Sequence, residues 1–315
     1  MIGKKLPPRD GYGNALLRLA RERPELMVLD ADVAKSTRTD WVRDKFPQHF
    51  LDMGISEQDM VGTAAGLALA GMLPFATTYS VFLTGRAFDQ IRTTVCNDRR
   101  NVKLGGAHAG ISVGPDGATH QALEDMALMR SLPGMTMVAP CDAVECEKAT
   151  LAIAKLNGPC YIRFGREAIP VITDEHTPFE LGKARMVMDG EDAAIFANGP
   201  MVYEATLAAE ALADRGVSVL VADLHTVKPL DGEFIRAAVE KTGAVVTAEE
   251  HQLMGGMGSA VCEYMAGHCP APVEMVGVRD TFGESGRPEE LMERYGLTAK
   301  HIEEAVLAVL RRKKD

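Results

Sequence analysis

The sequence predicts an α/β protein of two doubly wound domains, a mainly parallel one followed by a smaller one, and three observations carry that prediction. Short apolar, β-branched runs alternate with amphipathic helical segments, the pattern of βαβ units on a parallel sheet. The alternation breaks at residues 169–182, where Pro170, Asp174, Pro178 and Gly182 read as a linker. The 315 residues, 46% hydrophobic and 25% charged, suffice for two ordinary cores. The expected units are residues 1–168, the linker 169–182 and residues 183–315.

In the first unit, residues 14–23 have helical spacing, 27–30 read as a strand, 57–70 as a small-residue helix, 75–78 as a strand and 86–96 as a helix. Strands follow at 101–106 and 136–139, then a helix over 143–156 begun by Asp142, a good N-cap residue, and a strand at 160–164. In the second unit, strands at 193–197, 217–223 and 244–248 alternate with helices at 202–215 and 232–241. Helices at 258–266, 288–295 and 298–310 complete it, with no short-period repeat and no low-complexity tract.

A net charge of −10 argues against nucleic acid as a partner, and the basic run Arg311-Arg312-Lys313-Lys314 reads as a frayed, solvated helix end. No stretch approaches the roughly 20 apolar residues of a membrane span, and Met1 to Pro8 has no apolar run behind its lysines, so a cytoplasmic protein is expected. The six cysteines form no C-x-x-C pair and sit in apolar contexts. Buried thiols in a reducing compartment are expected, rather than disulfides or a metal site.

Chemistry is best sought at Gly54-Ile55-Ser56-Glu57-Gln58-Asp59-Met60, which sets one carboxylate between a strand-like run and the small-residue helix. With Met53, Ile55 and Met60 around it, Glu57 suits a desolvated, aimed carboxylate; the other reading is a first-turn glutamate favouring the helix dipole. Tyr79 and Phe82 follow a strand in a chain only 5% aromatic, so a flat ring could stack there for about 1 kcal/mol, or the pair is core packing. The glycine-rich loop from His108 through Asp116 to His120 suits a polar ligand. His120 and Asp116 fit a polyol, whereas His108, His120 and Asp116 match no zinc spacing. Arg163 and Arg166 end a strand and suit a phosphate, or else surface ion pairs.

Taken in this order, Glu57, Thr77-Thr78-Tyr79-Ser80-Val81-Phe82, His108 and Gly114-Pro115-Asp116-Gly117-Ala118-Thr119-His120-Gln121 resemble the pyrimidine-binding domain of transketolases, enzymes of thiamine diphosphate. Asp223-Leu224-His225-Thr226-Val227-Lys228-Pro229-Leu230-Asp231 and Glu249-Glu250-His251-Gln252-Leu253-Met254-Gly255-Gly256-Met257-Gly258 resemble their C-terminal domain. The resemblance implies a transferase that moves a two-carbon ketol unit from a ketose phosphate to an aldose phosphate, as in the pentose phosphate pathway. It implies that Glu57 activates the aminopyrimidine, that Phe82 stacks on it and that Tyr79 lines it. His108 and His120 would assist proton transfers, and Asp116 and His120 would meet sugar hydroxyls. Arg9, Ser36, His108 and Arg166 would hold the sugar phosphate, with Asp32 near the substrate channel.

Transketolases bind the diphosphate through Mg²⁺ on a Gly-Asp-Gly with a later Asn, and no Gly-Asp-Gly occurs in this chain. The expectation is therefore the C-terminal subunit of a split enzyme. A partner subunit would carry that motif and the Mg²⁺, in an α2β2 heterotetramer. Two departures touch the donor site: Gln58 follows Glu57 where transketolases usually have histidine, and Gly85 stands where a tyrosine is common. Deoxyxylulose-phosphate synthases are similar at Tyr79, Phe82, the Asp116 to His120 loop and Arg163/Arg166, but resemble an arginine at His108. The β subunit of 2-oxo acid dehydrogenases shares the layout but fits Thr119-His120-Gln121 poorly.

Overall fold

The computed structural model describes residues 3–314 and holds two main sheets. The first runs in the order Thr226–Lys228, Thr136–Val138, Cys160–Arg163, Lys103–Ala107, Leu73–Tyr79, Leu26–Asp30, Phe50–Asp52, parallel except at the first pair. Its central strands are covered on both faces, which is why they read as continuous apolar runs rather than alternating ones. The second sheet runs Val273–Val278, Val245–Gln252, Ala193–Ala197, Val219–Asp223, Arg185–Met188, parallel except for the last strand.

Five differences from the sequence reading have identifiable causes. The first long helix spans Pro8–Glu22, because Pro8 preorganises its first turn. Gly11 and Gly13 hide that turn from a periodicity count, and Gly11 is required because a Cβ there would strike the Ala143 carbonyl of the crossing helix Ala143–Ile153. Residues 86–96 are not one helix. A helix Ser80–Arg86 stops at Ala87 (φ −99°, ψ 15°) and is followed by Phe88–Gln90 and a π-helical stretch, Ile91–Asn97.

The stretch 169–182 is fastened rather than loose. Ile169–Pro170 pairs antiparallel with Lys5–Leu6, and the Asp142 carboxylate, which caps its helix by accepting from Glu145 N, also accepts from Ile172 N at 2.8 Å and Thr173 N at 2.7 Å. Finally, Thr226–Lys228 crosses over to add an edge strand to the first sheet, and Lys228 Nζ donates to the carbonyls of Arg130 (2.8 Å) and Leu132 (2.6 Å). Arg311, Arg312 and Lys313 of the basic C-terminal run are exposed but not frayed: they belong to the helix Ala299–Lys314, where Arg312 donates to Val273 O and Lys313 to Thr242 O, both at 2.7 Å.

Among the described residues no helix is long and apolar enough to cross a membrane, and all six cysteines are free. Asp30, Tyr79, Ala107 and Arg163 end four neighbouring parallel strands on one edge of the first sheet. The chain just beyond them carries Asp32, Phe82, His108 and Arg166, so these residues surround the crevice at the carboxyl ends of the strands, where open α/β sheets bind ligands.

Candidate active site

Glu57 opens the helix Glu57–Leu69 directly after a turn in which Gly54 takes φ +69° and Ser56 Oγ donates to Met53 O at 2.7 Å. Its residue is only 4% exposed, unlike an ordinary first-turn glutamate. Both carboxylate oxygens accept from Arg86 Nη1, at 3.1 and 3.3 Å. Phe82 and Arg86 stand four apart on the helix Ser80–Arg86, so they share a face, and the guanidinium lies 4.1 Å from the centre of the Phe82 ring. A buried carboxylate and an aromatic face thus converge on one planar cation, beside an open cleft of about 520 Å³ lined by Ile55, Ser56, Glu57, Gln58, Asp59 and Arg86.

Three further rings extend the site from Phe82. Tyr79 lies 6.0 Å from Phe82 and 4.3 Å from His108, centre to centre, and His120 lies 5.1 Å from Phe82 and 6.0 Å from Tyr79. His108 takes φ +55° and is 2% exposed, and its buried Nδ1 has no partner. Burial, then the charges of Arg9 and Arg166, hold its pKa down at about 3, so at neutral pH the ring is uncharged. It offers a hydrogen bond and stores no proton. His120 is half-buried and shares a hydrogen bond of 3.0 Å through Nδ1 with Thr119 Oγ1.

The third group is cationic. Arg9 leaves the start of the helix Pro8–Glu22, which Tyr12 anchors by a 2.6 Å hydrogen bond with Thr77 and a stack on Phe164 at 4.5 Å. Arg9 donates to the Ser36 carbonyl at 3.0 Å. Its pKa is lowered by burial and then by the neighbouring charge of Arg38. Arg38 pairs with Asp10 at 2.6 Å, and Arg166 with Asp116 at 3.1 Å. Asp32 sits apart on an exposed rim, with φ +61° and its backbone N–H given to Asp52 at 3.2 Å.

Arg163, expected beside Arg166 at an anion, is instead buried. It donates to Asp125 at 2.9 Å, to Ala122 O at 3.2 Å and to Glu250 O at 2.7 Å. With these interior partners it has no free fork for a phosphate.

Sequence reasoning missed Arg86, although its spacing from Phe82 on a helix was the available signal. It also missed Asp30, which is fully buried and accepts from Val33 N (2.6 Å), Thr37 Oγ1 (2.8 Å) and Thr39 Oγ1 (2.7 Å). Those bonds shape the loop that carries Asp32 and Ser36, while burial raises the Asp30 pKa to about 6 against them. The second half of the chain braces the site from behind. Gln121 donates to Ile111 O and Glu284 O, both at 3.0 Å, Glu250 accepts from Ser112 N at 2.6 Å, and a Cβ on Gly110 (φ +89°) would collide with the Glu250 carboxylate.

Motifs of the C-terminal half prove architectural. Glu249 accepts from Met257 N and Gly258 N (2.7 and 2.9 Å) at the start of the helix Met257–His268, and Asp231 caps the helix Gly232–Thr242. Cys141, Glu145 and Asp223 cluster like metal ligands, but the Arg185 guanidinium lies among them, 2.9 Å from Asp223 and 3.7 Å from Glu145, clasping the two halves.

Residues 4–171 match the family described as "Transketolase, pyrimidine binding domain", and residues 182–302 match "Transketolase, C-terminal domain". A 6-deoxy-6-sulfo-D-fructose transketolase subunit of a Clostridium species is 41% identical over 97% of this chain and 95% of its own. The 1-deoxy-D-xylulose-5-phosphate synthase of Trichormus variabilis is 38% identical over 94% of this chain and 47% of its own. A solved structure described as a split gene transketolase, inactive β4 tetramer, is 44% identical and superposes with a TM-score of 0.92 over 98% of this chain and 99% of that one.

Proposed function

Since the chain belongs to the transketolase family, carrying its pyrimidine-binding and C-terminal domains, we propose that it is the C-terminal subunit of a split transketolase. In this reading it acts on carbohydrate phosphates in the cytoplasm, transferring a two-carbon ketol unit from a ketose phosphate to an aldose phosphate. The carrying observation is the convergence of the buried Glu57 and the Phe82 ring on one planar cation, in a chain with no Gly-Asp-Gly.

The fit to thiamine diphosphate is therefore one-sided. Guanidinium and the N1′-protonated aminopyrimidine are both flat groups that donate N–H to a carboxylate, and a site that seats the first at a carboxylate and an aromatic face suits the second. This chain lacks the Gly-Asp-Gly motif through which transketolases hold the diphosphate and its Mg²⁺, and in this reading those ligands belong to an N-terminal partner subunit. When bound, the coenzyme supplies the carbon nucleophile that carries the two-carbon unit.

This chain's residues do the rest. Glu57 would orient and polarise the aminopyrimidine from its buried position, and Phe82 and Tyr79 would supply aromatic surface for the ring. His108, uncharged, hydrogen-bonds the substrate, and the half-exposed His120 moves a proton at a donor hydroxyl. Asp116 accepts from a second hydroxyl. Arg9 and Arg166, with Ser36, hold the terminal anion, and Asp32 stands at the channel rim. A guanidinium pair accepts phosphate and sulfonate alike, so the sulfosugar specificity of the Clostridium relative fits the same geometry. An α2β2 heterotetramer follows if the coenzyme lies between chains, whereas the β4 assembly of the solved relative is described as inactive.

The test is to mix the chain with its N-terminal partner, thiamine diphosphate and Mg²⁺ and to offer either a ketose phosphate or pyruvate as donor. Ketol transfer from the sugar is the expected result. Decarboxylation of pyruvate would instead favour the synthase reading, which the 38% identical synthase and the Arg166–Asp116 pair keep as the rival.

A further inference from the structure

We propose that Arg86 is a built-in competitor for the aminopyrimidine seat, an autoinhibitory contact that closes the coenzyme end of this subunit until the ring displaces it. The inference rests on the reading that Glu57 and Phe82 receive that ring. Arg86 makes both contacts assigned to the ring: it donates to the two Glu57 oxygens at 3.1 and 3.3 Å and covers the Phe82 face at 4.1 Å. Two flat groups cannot occupy one aromatic face, and one buried carboxylate cannot give its aimed lone pairs to both.

The contact is built to open. The Arg86 side chain is 50% exposed while that of Glu57 is 4% exposed, so the cation can leave for water and the carboxylate cannot. Arg86 is the last residue of its helix, before the break at Ala87, and a Cβ on the preceding Gly85 would meet no heavy atom within 4 Å, leaving its flank clear for an outward swing. Among the described residues no other group donates a hydrogen bond to the Glu57 carboxylate. Release of Arg86 therefore leaves a desolvated anion without a donor unless another arrives with it, which ties opening of the seat to arrival of the ring.

Simple electrostatics predicts the opposite sign, which makes the proposal testable. Thiamine diphosphate is an anion overall, so deleting a nearby positive charge should weaken its binding. Deleting a competitor should tighten it. The experiment is calorimetric titration of thiamine diphosphate, at fixed excess Mg²⁺, into the complex of this subunit with its partner, using the wild type, Arg86→Ala, Phe82→Ala and Arg92→Ala. Arg92 is an exposed arginine of the following helical stretch and reports the pure charge effect.

The expected result is a Kd about tenfold lower for Arg86→Ala, higher for Phe82→Ala, and unchanged or slightly higher for Arg92→Ala. If Phe82→Ala weakens binding while Arg86→Ala weakens it or leaves it unchanged, Arg86 is not a competitor, and the functional reading survives without it. If Phe82→Ala leaves the Kd unchanged, the ring sits elsewhere, and both the functional reading and this inference fall.

Discussion

Two arginine–carboxylate pairs in this molecule look alike in sequence and behave as opposites in structure. Arg163 and Asp125, with side chains 4% and 0% exposed, form an interior strut. The guanidinium also donates to two carbonyls, and Asp125 accepts from Tyr161 OH at 2.6 Å, so partners within the chain satisfy the pair from both ends. Arg86 and Glu57, at 50% and 4%, form a half-open pair in which the buried member depends on one half-exposed donor. A buried charge whose partners all lie inside the chain is architecture, whereas a buried charge with a partner that can swing into water is a place for a ligand.

The comparison breaks first at Glu57. Replacing it by Gln keeps shape and removes the charge, and ketol transfer by the assembled enzyme should fall on the order of 10³-fold or more, with assembly by light scattering and thermal stability unchanged. Near wild-type turnover would remove Glu57 from the chemistry. Next comes the strut. Arg163→Ala strands Asp125 without its cation, and chemical denaturation should show a loss of about 3–5 kcal/mol. A loss below about 1 kcal/mol would mean that the pair is not structural.

A third prediction uses pH. The unfolded His108 ring protonates near its ordinary value of 6.5, while burial keeps the folded one neutral down to about 3. The folded chain therefore binds fewer protons over that window, and the stability His108 contributes is whole above 6.5 and lost as the pH falls toward 3. Asn tolerates the left-handed backbone of this position, so His108→Asn is a fair reference. Between pH 7.5 and 5 the wild type should lose about 2 kcal/mol relative to the variant in paired urea titrations. A constant gap would contradict the buried, neutral ring. The last concerns Arg86→Ala, where denaturation should show a loss of about 1–2 kcal/mol, below that of the strut, because the buried Glu57 carboxylate loses its donor but borders a cleft open to water.

Much of the fold was legible because parallel strands buried on both faces announce themselves as apolar runs, as Ala193–Ala197 and Val219–Asp223 do. Short edge strands were not legible. Phe50–Asp52 and Thr226–Lys228 have too few residues to show a period, and the second joins a sheet distant in sequence. Glu57, Phe82, Tyr79, His108 and His120 were legible through order and spacing, and they do converge. Arg163 and Arg166 could not be told apart, because three residues along a strand end decide between interior and crevice, and only the Asp125 carboxylate beneath one of them settles it. Arg86 was only partly legible: its spacing from Phe82 puts the two on one helix face, but nothing in the sequence says that it folds onto Glu57.

The central claim is that this chain owns the aminopyrimidine end of the coenzyme and another chain owns the metal-gripping end. Calorimetric titration of thiamine diphosphate with Mg²⁺ into this subunit alone, its partner alone and the mixture tests it most directly. Tight binding by the mixture, lost in Phe82→Ala and absent from this subunit alone, is the predicted result. Full-affinity, Mg²⁺-dependent binding by the isolated subunit would contradict it.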